Sequence, residues 1–228
     1  MISDPNLLRD AEGRRRGSFR AMASPWEVHV WDADETELLR VTQAVAEEVQ
    51  RIERKYSRYR DDGVTHAINH AHNQALRLDA ETARLLNFAD ALWQASEGRF
   101  DISTGVLRRV WIFDGSARVP TQEQIDAVLP SVGWNKIAWD GETIRLPPGM
   151  EIDFGGIGKE YAVDRALELA SGLTTRPVLI NGGGDLAANA PPIQGQAWRV
   201  GIDTGVGVAA PSLQLFRGAL ATSGDAHR

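Results

Sequence analysis

Between Ile152 and Asp164 the chain reads Ile-Asp-Phe-Gly-Gly-Ile-Gly-Lys-Glu-Tyr-Ala-Val-Asp, and no other stretch restricts the fold so tightly. An apolar strand end runs into a turn containing Gly155, Gly156 and Gly158, and an amphipathic helix follows. Glycines there let the backbone take positive φ and approach a ligand closely. A helix that opens on such a turn points free N–H groups and its positive dipole end outward, which suits an anion. Lys159 adds a mobile cation and Asp153 a carboxylate, a mixture suited to a nucleotide diphosphate with a divalent metal. The spacing is neither GxGxxG nor GxxxxGK[ST], so it predicts neither a dinucleotide fold nor a P-loop. Taken alone, the stretch also fits an ordinary strand–turn–helix connection.

Hydrophobic periodicity places the remaining elements. Phe19 to Asp32 reads as one strand, with Trp26, Val28 and Val30 alternating against Glu27 and His29. Glu35 to Ser57 reads as a long helix, since Leu38, Val41, Val45, Val49 and Ile52 recur at helical spacing. A second helix is expected over Thr82–Ser96, closed by Gly98, and another starts at a Thr121 cap. Trp134–Trp139 and Glu142–Leu146 form a hairpin about Asp140-Gly141, and Pro147-Pro148-Gly149 is a turn. A helix over Tyr161–Ser171, a buried strand Val178-Leu179-Ile180 and strands at Trp198–Ile202 and Ala219–Thr222 complete the reading. Hairpins mixed with helices predict an α+β fold rather than regular βαβ repetition. Residues 1–18 read as an N-terminal tail, with Arg14-Arg15-Arg16 solvated, and 19–228 as one domain.

Composition narrows the chemistry. The 228 residues carry a net charge of −6, which disfavours broad binding to nucleic-acid backbone. There is no cysteine, so thiolate catalysis, disulfides and cysteine-ligated metal are excluded. The first residues lack the apolar core of a secretory signal, and no later segment reaches the roughly 18 apolar residues of a membrane span, so a cytoplasmic location is the expectation. His66, His70 and His72 include an i, i+4 pair that can bind metal on a helix, but no carboxylate or cysteine pattern joins them, and they read as exposed and incidental.

Further segments share the character of the glycine turn. They are Arg20-Ala21-Met22-Ala23-Ser24-Pro25-Trp26, Tyr56-Ser57-Arg58-Tyr59-Arg60-Asp61-Asp62-Gly63, Gly98-Arg99-Phe100-Asp101-Ile102-Ser103-Thr104-Gly105-Val106-Leu107, Asn181-Gly182-Gly183-Gly184-Asp185, and Ala221-Thr222-Ser223-Gly224-Asp225. Six motifs in this order, counting the glycine turn, resemble the ApbE family of FAD:protein FMN transferases. The resemblance implies an ApbE-like fold with mixed or antiparallel sheets and flanking helices. It also implies Mg²⁺-dependent transfer of FMN from FAD to a Thr or Ser hydroxyl of an acceptor flavoprotein, with AMP released.

It assigns flavin contacts to Met22 and Tyr59, whose thioether and ring pack on flat π systems. Phe100, Asp101 and Ile102 match the family segment lining the FAD site, although a loop aspartate such as Asp101 equally caps a turn. Asp153 and Lys159 match FAD contacts, and Gly156 matches a magnesium ligand acting through its backbone carbonyl. Gly182, Gly183 and Asp185 lie in a turn that can aim N–H groups at phosphate or adenine, or simply follow a buried strand tightly. Asp225 is the candidate base, from its place in the closing motif.

Two substitutions depart from the pattern: Ala23-Ser24 stands for Gly-Thr, and Glu160 stands for Gly, a repulsive neighbour for phosphate if it points inward. The family pattern also continues with a His-x-x-[DN]-P segment and an Ala-Asp-[AS]-x-[AS]-T segment carrying metal ligands, so the expectation is a fold missing its C-terminal part. The alternatives to the transferase are a non-catalytic FAD-binding protein and an Mg²⁺-dependent FAD pyrophosphatase.

Overall fold

The computed structural model describes residues 3–9, 15–112, 118–202 and 211–222. In chain order the elements are β1 (Ser3–Arg9), β2 (Arg15–Ala21), β3 (Ser24–Val30), α1 (Glu35–Tyr56), α2 (Val64–Asn69), β4 (Leu76–Arg77) and α3 (Ala80–Ala95). Then come α4 (Gln122–Val128), β5 (Ala138–Trp139), β6 (Thr143–Arg145), α5 (Gly158–Leu173), β7 (Val178–Gly182), β8 (Asp185–Ala188), β9 (Trp198–Gly201), β10 (Ser212–Leu215) and β11 (Gly218–Leu220). The chain divides into two compact units, one of Met1–Glu53 with Gly158–Arg228 and one of Arg54–Ile157.

The first unit is built on an antiparallel sheet in the order β1-β2-β3-β7-β8-β11. Alternation sets its inner face: Trp26, Val28 and Val30 of β3 are buried, as are Phe19 and Ala21 of β2. Trp26 is fully buried and stacks on Phe19 at 5.8 Å between centroids. The buried stripe of α1 runs through Leu38, Val41, Val45, Ala46 and Val49. Its Thr42 comes so near β2 that a Cβ on Gly17 would stand 1.9 Å from the Thr42 hydroxyl oxygen. The buried face of α5 is made of small residues, Ala162, Val163, Ala166 and Ala170, which lets the helix lie close on β7 and β8. On the opposite face of β7, Leu179 joins Leu186 and Ala188 beneath Trp198, Val200 and Leu215 of the β9–β10 hairpin.

The second unit holds the last turn of α1, then α2, α3, α4 and a small antiparallel sheet in the order β4-β6-β5. Its core gathers Tyr56, Ile68, Leu85, Leu86, Val106, Ile144, Ile152 and Phe154. Tyr56 meets Phe154 edge-on at 5.1 Å. Asp79 caps α3, accepting from the N–H groups of Glu81 and Thr82 and, at 2.7 Å, from Lys55 Nζ. Thr121 and Gln124 form a reciprocal capping box on α4.

The α+β reading holds, and the long helix, the Thr121 cap and the Asp140-Gly141 turn fall where expected, although Trp134–Lys136 of the expected first hairpin strand is a 3₁₀ turn and only Ala138–Trp139 pairs with β6. Three expectations need correction. The single strand over Phe19–Asp32 is two strands, β2 and β3, folded about Met22-Ala23. The turn carries no local signature, because both of its residues are non-glycine yet sit at φ 50° and 58°. The tail expected over 1–18 includes β1, which pairs with β2, and Arg15 and Arg16 reach Glu35 and Glu27 at 3.3 and 3.1 Å. An edge strand with little burial shows no apolar alternation, so periodicity does not reveal it. At the end of α3 the left-handed residues are Glu97 and Gly98, not Gly98 alone. Among the described residues no helix is long and apolar enough to cross a membrane.

Asp79 generates a test. Burial raises its pKa, but hydrogen bonds from Lys55, the Thr82 hydroxyl and the Thr82 N–H, with the Lys55 charge, outweigh this and hold it at about 2, below the ordinary 3.8. The stability it contributes is therefore present above its unfolded pKa and is lost as pH falls through about 2. Because the side chain is about half exposed, Asp79→Ala is expected to lower unfolding stability by only about 1 kcal/mol at neutral pH. Urea denaturation should show the gap between wild type and variant closing as pH drops from about 4 to 2.

Candidate functional site

The sequence-predicted residues fall into two groups, one within each unit. In the first unit, two hairpin turns lie beside each other at one end of the sheet. Ala21 pairs with Ser24, so Met22-Ala23 is a two-residue turn with both residues left-handed. Gly182 pairs with Asp185, so Gly183-Gly184 is its counterpart, at φ 61° and 99°. Pairing of Trp26 with Gly182 and a 2.9 Å bond from Gly183 N–H to the Pro25 carbonyl bring the turns together.

This closeness explains the glycines. A Cβ on Gly182 would stand 2.8 Å from both the Trp26 ring and Val163, and one on Gly183 would stand 2.6 Å from Ser24 Cβ. A Cβ on Gly184 would reach 2.5 Å from the Thr222 hydroxyl oxygen. Asn181 Oδ1 accepts from Gly184 N–H at 3.0 Å, a side chain closing the turn that it precedes.

Lys159, in the first turn of α5, sets its ammonium 2.9 Å from Asp185 Oδ2. The Asp185 carboxylate is 3 % exposed, and its other oxygen accepts from Thr222 N–H at 3.0 Å. Asp185 is thus a buried anchor, and Lys159 the cation it orients near the Gly183 turn. The N-terminal end of α5, with its positive dipole end, adds to that positive character. Glu160 is exposed. Thr222 is the last described residue of the closing motif, and Ser223, Gly224 and the candidate base Asp225 lie outside the described residues.

The second unit centres on Asp153. Its N–H donates to the Ile102 carbonyl at 2.8 Å, and its Oδ1 accepts from Gly155 N–H at 2.9 Å. Oδ2 receives Arg58 Nη1 at 2.5 Å. The same guanidinium donates through Nη2 to the Tyr59 hydroxyl at 2.8 Å and lies 4.9 Å from that ring's centroid. Tyr59 is 81 % exposed, an aromatic ring offered to solvent. Gly105 carries no side chain where one would press on Asp153 Cβ at 3.0 Å, and Gly156 is bare where a Cβ would meet the Phe100 ring at 3.0 Å.

Other predicted residues have different work. Asp101 is buried, and its carboxylate accepts from Ser103 N–H and hydroxyl and from Trp134 N–H. The turn-capping alternative for Asp101 is the one its hydrogen bonds match. The Ile102 side chain is core, 4 % exposed, so only its backbone faces Asp153. Asn69 clamps Ile152 by accepting from its N–H at 2.8 Å and donating to its carbonyl at 3.0 Å. Arg58 is the residue that sequence reasoning passed over. The signal was its position between Ser57 and Tyr59, and its partner Asp153 stands 95 positions along the chain. His66 and His70 stack at 3.8 Å, and His70 Nδ1 lies 2.9 Å from the His66 carbonyl.

Among the described residues no three His, Asp or Glu side chains gather to hold a metal ion. Gly156 offers a single carbonyl oxygen, whereas Mg²⁺ takes an octahedral set of oxygens. The described residues alone therefore do not compose a magnesium cage.

Residues 22–228 match the profile of the ApbE family. The chain belongs to the ApbE family. It is 26 % identical over 215 residues to the FAD:protein FMN transferase of Haemophilus influenzae, covering 86 % of this chain and 62 % of that one. It is 27 % identical over 154 residues to the FAD:protein FMN transferase of Chlamydia pneumoniae, covering 66 % of this chain and 48 % of that one. The chain thus spans about half to three fifths of the length of these curated relatives. Among solved structures, the ApbE protein of Thermotoga maritima superposes with a TM-score of 0.82 at 29 % identity, over 98 % of this chain and 72 % of that one. The flavinyl transferase ApbE of Pseudomonas stutzeri shares the fold, with a TM-score of 0.75 at 22 % identity over 99 % and 71 % of the two chains.

The left-handed Met22-Ala23 turn of this ApbE-family chain carries strain that glycine would relieve. Ala23→Gly is expected to raise unfolding stability by about 0.5–1 kcal/mol, the relief being partly offset by unfolded-state entropy. Gly183→Ala, at positive φ and against Ser24, should lower it by about 1–3 kcal/mol. Equal melting temperatures for the three proteins would refute this account of the paired turns.

Proposed function

We propose that this chain acts in FAD:protein FMN transfer. The hydroxyl oxygen of a Thr or Ser on an acceptor flavoprotein attacks the FMN phosphorus of FAD. The bond from that phosphorus to the AMP oxygen breaks, AMP leaves, and the hydroxyl proton passes to a base. The family match over residues 22–228 carries the reading, because it takes in every motif from Met22 onward.

The roles proposed for this chain's residues follow their chemistry. Lys159, oriented by Asp185 at the start of α5, counters phosphate charge as it shifts to the leaving group. Within the second unit Tyr59 packs on the isoalloxazine ring with the Arg58-paired Asp153 carboxylate next to it, and Met22 keeps the flavin-contact role that the family resemblance gives it. Gly182 and Gly183 bring backbone close to the nucleotide, and Phe100 packs beside Gly156. Asp225 is the proposed base. Mg²⁺, part of the same reading, would supply Lewis-acid charge compensation on the phosphates when bound, with the Gly156 carbonyl as one of its ligands.

Incubating the protein with FAD, Mg²⁺ and a candidate acceptor, then quantifying AMP, FMN and covalent flavin, tests this directly. The expected result is AMP in step with flavinylated acceptor, abolished by EDTA, and lowered about 100-fold in Lys159→Ala. AMP with free FMN in the absence of acceptor would mark a pyrophosphatase instead. FAD binding with no AMP under any condition would mark a flavin-binding protein.

A further inference from the structure

The guanidinium of Arg58 does two things at once within the second unit. It donates to Asp153 Oδ2 at 2.5 Å and to the Tyr59 hydroxyl at 2.8 Å, and its flat face lies 4.9 Å from the Tyr59 centroid. A tyrosine that is 81 % exposed has little packing to hold its ring, so Arg58 is what fixes it, at the hydroxyl and at the face. The carboxylate is equally committed, with Arg58 on one oxygen and Gly155 N–H on the other. An ammonium has neither the planar fork nor the flat face that this geometry uses.

We propose that Arg58 is a positioning residue for a flavin: it presets the Tyr59 ring as a stacking platform and keeps the Asp153 carboxylate paired next to it. This rests on the flavin reading above and deepens it. A ring held before the ligand arrives loses little freedom when a planar heterocycle stacks on it, so affinity comes from preorganisation. The ligand class read by Arg58, through Tyr59, is a planar aromatic ring.

Dissociation constants for FAD, riboflavin and ADP, measured by calorimetry, separate the parts, since riboflavin has the ring without phosphate and ADP the diphosphate without the flavin. Arg58→Ala should weaken FAD and riboflavin about tenfold and leave ADP unchanged. Arg58→Lys should restore charge without restoring riboflavin affinity. Tyr59→Phe should lose about threefold for riboflavin, and adding it to Arg58→Ala should cost less than it does alone. Flavin affinities in Arg58→Ala equal to wild type would overturn the inference and leave the transferase reading standing. So would equal losses for riboflavin and ADP together with a lowered melting temperature, which would mark a purely structural arginine. No flavin binding by the wild type would overturn both. If Arg58→Ala fails to fold, Arg58→Lys and Tyr59→Phe carry the test, and wild-type riboflavin affinity in both would reject the proposal.

Discussion

The pairing of β3 with β7 governs the first unit. Fully buried Trp26 lies opposite Gly182, and a single Cβ there would drive into the indole at 2.8 Å. The missing side chain lets a large aromatic, the sheet and Val163 of α5 close on one another without a void. The same register sets the Met22-Ala23 and Gly183-Gly184 turns side by side and leaves the α5 lysine within reach of the second. Packing and site geometry are one constraint here, since shifting the register by a residue would move the apolar set of β3 to the other face.

The second unit uses a different device. Its polar groups form short closed circuits, in which each side chain fixes a neighbour's backbone. Asn69 clamps both polar groups of Ile152, Asp101 ties Ser103 to Trp134, and Asp153 holds Gly155 while accepting from Arg58. Such circuits satisfy buried polar groups and remove loop freedom together. The glycines between them, Gly105 and Gly156, mark where backbone and side chain come too close for a methyl group.

Much of this was legible in the chain. The α1 stripe, the Thr121 cap and the Asp140-Gly141 turn have strong local signatures, and the ordered motifs located the residues around Asp153, Lys159 and Gly183. Locally silent features were not legible. Met22-Ala23 has no turn composition, so the hairpin read as one strand, and its conformation is imposed by strand pairing. β1 and β8 carry no alternation, the former as an edge strand and the latter because all of Asp185–Ala188 is buried. Arg58 was hidden for a different reason: its role depends on a partner at Asp153, and separation of that kind leaves no periodic trace.

The division of the chain has a consequence for the order in which it folds. Arg54–Ile157 is continuous, so that unit can assemble from contacts local to it as soon as it is made. The other unit cannot close until Val178–Gly182 has emerged, because that strand is the partner of β3. Until then β1, β2 and β3 form a three-stranded sheet with an open edge, and the Trp26 and Phe19 rings lack their cover. A pairing between residues this far apart is entropically late and slow. On the ribosome the newborn protein thus passes through a stage in which the free edge of β3 waits, exposed to chaperones or to the same edge of another chain, for a segment not yet synthesised.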